Sequence, residues 1–137
     1  MNTLENMFRL RTEHIRPAAD VLARAFTDEP LFASALPNPT ERTTKLRYFM
    51  EFEIRQSIVH GEAYAPSPAL EAIAGWLPSQ KCMPSLPDVA RSGLFSMVAH
   101  TGLGPAVKMW AFEARFARMW RRHMRSPHMV LDVLGVE

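Results

Sequence analysis

His128 and Asp132, near the end of a 137-residue chain, are side chains of types that carry protons. They belong to the run His128-Met129-Val130-Leu131-Asp132-Val133-Leu134-Gly135-Val136-Glu137, which reads as a strand. Met129, Leu131 and Val133 fall on one face, and His128, Val130, Asp132, Leu134 and Val136 on the other. Four residues of strand separate His128 from Asp132 by roughly 13 Å, too far for a mutual hydrogen bond. The plainer reading is that His128 merely starts the strand beside Pro127. On that reading Asp132 bonds local backbone or a helix end.

Other reactive types are sparse. Cys82 is the single cysteine, with no histidine that the sequence pairs with it, and reads as a plain thiol in a linker. His14, His60, His100 and His123 are scattered without ligand spacing, so no metal is assigned. Lys108, Arg115, Arg118, Arg122 and Arg125 fall together on one predicted helix. They read as a solvated face, with cations favoured near the helix C-terminus.

Composition bounds the rest. A 47% hydrophobic and 22% charged chain is ordinary for one globular domain, here taken as 1–137. A net charge of +2 is too small to imply nucleic-acid binding. One cysteine excludes an internal disulfide framework and points to a reducing, cytoplasmic setting. Apolar runs fall short of the roughly 18 residues that span a membrane, and no signal-peptide pattern opens the chain.

The elements that must position His128 and Asp132 follow from periodicity. Phe8-Arg9-Leu10-Arg11 alternates as a short strand. Thr12 is the expected cap of a helix whose apolar positions are Ile15, Ala18, Ala19, Leu22, Ala25 and Phe26, ended by Asp28-Glu29-Pro30. An apolar loop, Leu31 to Pro39, has room for one helical turn. A long helix capped by Thr40 should bury Leu46, Phe49, Met50, Ile54 and Ile58 and stop at Gly61. Gly61–Ala65 and Glu71–Leu77 read as strands around the turn Pro66-Ser67-Pro68. A linker, Gln80 to Pro87, leads to Ser85-Leu86-Pro87-Asp88, an approximate capping box for a helix running to His100. After Gly102-Leu103-Gly104-Pro105 a last helix to about Arg125 sets Met109, Phe112, Phe116, Met119, Trp120 and His123 on one side as core. The final strand has few polar breaks, so it is expected to lie inside a sheet with helices on both faces.

The pattern His128-x-x-Leu131-x-x-Leu134-Gly135-Val136-Glu137 resembles the fourth strand of GNAT-superfamily N-acetyltransferases, and Ala74-Gly75-Trp76-Leu77-Pro78 is similar to that family's third. The order strand, helix, apolar loop, helix, hairpin also matches. The resemblance implies an α/β domain with a mixed, mostly antiparallel sheet flanked by helices, truncated after the fourth strand. It implies that residues 79–126, read as two helices, are an insertion of the kind some members carry to wall the acceptor site. It implies acetyl-CoA as co-substrate and a primary amine, small or peptidic, as acceptor. His128 or Asp132 would assist deprotonation, and the backbone of Leu134, Gly135 and Val136 would pair with the pantetheine arm. Phe32, Tyr48 and Phe52 would approach the acceptor, although core packing is the better expectation for them. In the family this strand runs into a glycine-rich loop that cradles pyrophosphate at a helix N-terminus. The 137 residues contain no such loop after a strand, so the chain as it stands is expected to be inactive. The unpaired flank of the last strand predicts self-association. The alternative is a non-catalytic interaction module that binds a protein through its Met- and aromatic-rich helices.

Overall fold

The computed structural model describes residues 3–82 and 85–137. The linker positions Met83 and Pro84 therefore lie outside the described residues. The sheet is built from β1 (Phe8–Arg9), β2 (Glu62–Ala65), β3 (Ala72–Pro78) and β4 (Met129–Val136). Its order is β1-β2-β3-β4, with every pairing antiparallel. Six helices accompany it among the described residues: α1 (Ile15–Phe26), α2 (Pro30–Ala35), α3 (Pro39–His60), α4 (Leu86–Arg91), α5 (Leu94–Thr101) and α6 (Leu103–His123).

Helices α1 and α3 pack on each other and on one face of the sheet. Ala18, Ala19 and Ala23 let α1 lie close, and Leu22, Leu46, Met50, Ile54 and Ile73 fill the space beneath. The last residue is tied back to α1, where the Arg24 guanidinium donates to both Glu137 oxygens at 2.6 and 3.0 Å.

Helix starts differ from the sequence expectation in two places. Thr12 opens a 3-10 turn instead of capping α1, and the Arg11 amide donates to His14 Nδ1 at 2.9 Å. The cap of α3 is Asn38, whose side chain accepts from the Thr40 amide, because Pro39 suits the first turn and moves the start upstream. Ser85 does cap α4 by accepting from the Asp88 amide.

The expected two-helix insertion contains three α-helices. Gly93 stands at φ 88°, a left-handed conformation that breaks the predicted Pro87–His100 helix into α4 and α5. Ser92 closes the break, its hydroxyl donating to the Asp88 carbonyl at 2.6 Å.

The final strand is not an inner strand covered on both faces. β4 pairs with β3 alone among the described residues, and one face is open, with Leu134 52% and Val136 66% exposed. Nor does the simple alternation hold. Trp76 faces Leu131 while Gly75 faces Val133, so Asp132 is the extra residue of a β-bulge. The phase slips there: Val130 points to the helices before it, Val133 and Gly135 after it. No helix among the described residues is long and apolar enough to cross a membrane.

Candidate functional site

The bulge turns Asp132 toward α3 and α6. On α3, Glu53, Gln56 and Ser57 fall at i, i+3 and i+4 and so share a face. On α6, Glu113, Phe116, Ala117, Trp120 and Arg121 do the same. Only the start of α6 reaches the core, through Met109. Beyond it the helix stands off the sheet and leaves a cleft of about 220 Å³, walled by Phe112, Phe116 and Trp120 and floored by Val130 and Asp132. A smaller lobe of about 50 Å³ continues toward Phe52, Glu53, Gln56 and Trp110. Cys82, Glu113 and Asp132 line both lobes.

The aromatic stripe of α6 is therefore not core. Phe112 is 46% and Phe116 42% exposed, and both face the cleft. Phe32 and Phe52 are buried as expected. Tyr48 stacks on His100, with ring centroids 3.8 Å apart.

Three carboxyl groups meet at this cleft and each is pushed up. Burial raises Asp132 to about 7, the Glu113 charge adds to the rise, and the Ser57 hydroxyl opposes it. That hydroxyl lies nearby without closing a well-formed hydrogen bond, since neither Ser57 Oγ nor Asp132 Oδ2 has a partner among the described residues. Burial also raises Glu53 well above the ordinary range, reinforced by Asp132 and Glu113, and burial raises Glu113. Such a cluster shares its protons, so its titration belongs to the group of three. The Cys82 thiol is likewise raised by burial and by Asp132 and Glu113, with Arg121 opposing, so it is a poor thiolate. Among the described residues no group of side chains has the makings of a metal site.

His128 stands elsewhere. Trp120 Nε1 donates to its Nε2 at 2.6 Å, which leaves the ring proton on Nδ1 to donate to the Ser126 carbonyl, also at 2.6 Å. Nε2 thus ties the start of β4 to α6 while Nδ1 is taken up by the preceding turn, and the ring lines a neighbouring groove. The two proton-carrying residues of the sequence reading are not brought into one site.

Leu134, Gly135 and Val136 pair with Ala74, Ile73 and Ala72 of β3. Gly135 lies under α1, where a Cβ would come within 2.7 Å of Leu22 Cδ2. The other edge of β4 is unpaired among the described residues.

Glu53, Gln56, Ser57 and Glu113 were not singled out from sequence. A signal existed: three polar residues at i, i+3 and i+4 interrupt the apolar stripe of α3 where a core face is expected. No protein-family model matches the chain, and no curated protein matches it.

Proposed function

We propose that the chain is the acceptor-side part of a GNAT-like, acetyl-CoA-dependent N-acetyltransferase, with Asp132 as the proton acceptor for a primary amine. The observation that carries this reading is Asp132 itself: a carboxyl on a bulged strand, raised to about 7, opening on an apolar cleft. A base with that affinity is half-ionised near neutral pH and takes a proton from an amine better than an ordinary carboxylate would.

Acetyl-CoA, when bound, supplies an activated acetyl group as a thioester. The open edge of β4 fits its amide-bearing arm, because Leu134, Gly135 and Val136 offer backbone that another strand-like chain can pair with. The pyrophosphate has no matching glycine-rich cradle in these residues, and the acid that protonates the leaving thiolate is unassigned. In the chemistry so divided, Asp132 removes the ammonium proton and the freed nitrogen forms the new C–N bond as the C–S bond breaks. The thiolate leaves with one proton, and a second is released. His128 is assigned to positioning α6 against β4. A reducing, cytoplasmic setting suits the half-buried free thiol of Cys82.

Amide chemical-shift mapping with acetyl-CoA tests the proposal on the chain as it is. Shifts concentrated at Leu134, Gly135 and Val136 are expected. Their absence would favour the interaction-module reading, for which the exposed Val107, Trp110, Phe112 and Met119 of α6 give grounds.

A further inference from the structure

The narrow end of the cleft gathers Glu53, Gln56, Glu113 and Asp132, with Lys81 and Cys82 beside them. Gln56 is 4% exposed, and its amide orientation is fixed by its neighbour. The Ser92 hydroxyl donates to the Asp88 carbonyl, so it must accept from Gln56 Nε2, at 2.5 Å. Gln56 Oε1 is thereby left buried and without a partner among the described residues, in a side chain that lines the smaller lobe. Asp132 Oδ2 is in the same condition, and the carboxyls of Glu53 and Glu113 face the same space. Buried acceptors without donors are costly unless something supplies hydrogen. What would satisfy several at once is a compact group with three N–H donors and no acceptor.

We propose that the cleft binds a primary ammonium carried on a flat apolar body, the ammonium among Asp132, Glu53, Glu113 and Gln56 Oε1 and the body between Phe112, Phe116 and Trp120. This rests on the acetyltransferase reading only in making that amine the acceptor; the binding site stands on the geometry alone. The wider lobe, about 220 Å³, is room for about seven waters, which suits one ring with a short arm and not a folded peptide. The ring walls offer edge and face contacts to another ring, and a cation close to them gains from their π faces. The other charged groups lining the cleft are Arg121 of α6 in the wider lobe and Lys81 in the smaller one, whose Nζ lies 3.9 Å from the Asp88 carboxylate. They discourage a ligand with a second positive charge.

The test is calorimetric titration of the whole chain with benzylammonium, benzyl alcohol and spermidine, in the absence of acetyl-CoA. Saturable binding of benzylammonium is expected, weakened about tenfold or more when the ammonium is replaced by the hydroxyl of benzyl alcohol. Spermidine should bind more weakly than benzylammonium. Near neutral pH, benzylammonium binding should also release protons, detected by repeating the titration in buffers of different ionisation enthalpy, because the cation favours the ionised carboxylates. Equal binding of benzyl alcohol, preference for spermidine, or no saturable binding of benzylammonium would each overturn the inference. These comparisons use the unaltered protein, so a folding defect cannot imitate them. Glu113→Gln, on the exposed helix α6, should weaken benzylammonium about tenfold and leave benzyl alcohol unchanged. Failure here leaves acetyl-CoA mapping at β4 untouched, and failure of that mapping leaves ammonium binding untouched.

Discussion

Across the cleft, the Glu113 carboxylate on α6 raises the Asp132 carboxyl on β4, so a helix outside the core helps set the proton affinity of a strand residue. The consequences of that relationship are measurable in stability as well as in binding.

Asp132 makes folding pH-dependent in a direction opposite to most carboxylates. Its affinity rises from 3.8 to about 7 on folding, so the folded chain holds the proton more tightly. That contribution is fully present below about pH 4 and is lost as pH rises through about 7. Asp132→Asn should flatten this dependence and raise stability at neutral pH by on the order of 1–3 kcal/mol, read from urea unfolding. An unchanged slope with pH would remove the buried-acid description.

Gly93 tests the helix break. Gly93→Ala places a Cβ at φ 88°, within 2.5 Å of the Arg55 guanidinium. A loss of about 1–2 kcal/mol is expected in denaturant unfolding. A neutral or stabilising result would mean that the α4–α5 junction is one helix.

Much of the fold was legible because the helical period is clean through α1 and because Pro66-Ser67-Pro68 and Pro78 bracket β3. Three features were not. The bulge at Asp132 depends on pairing with Gly75 and Trp76, and no strand pattern reports the register of its partner. Phe112, Phe116 and Trp120 have core-like spacing, but α6 docks only near Met109, and docking is a tertiary matter. The carboxyl cluster joins three elements far apart in sequence. Asp132 was visible as a proton carrier, whereas the Glu53 and Glu113 that surround it were not.

Gly135 tests how α1 sits on β4. Gly135→Ala should drive its Cβ into Leu22 Cδ2, 2.7 Å away, and cost about 1–3 kcal/mol. Combining it with Leu22→Ala should recover part of the loss, a coupling that a double-mutant cycle measures.

The unpaired edge of β4 predicts self-association. Leu134→Lys with Val136→Lys should shift any concentration-dependent sedimentation toward the smaller species without lowering stability, since both side chains are exposed. A concentration-independent monomer in the unaltered chain would contradict the idea.

The central claim is that Asp132 is a neutral-range acid in a shared carboxyl cluster. Carboxyl-carbon NMR titration of the unaltered chain and of Glu113→Gln tests it most directly. A midpoint for Asp132 near 7 is expected, moving downward when Glu113 is neutralised. A midpoint near the ordinary 3.8, unmoved by Glu113→Gln, would contradict it.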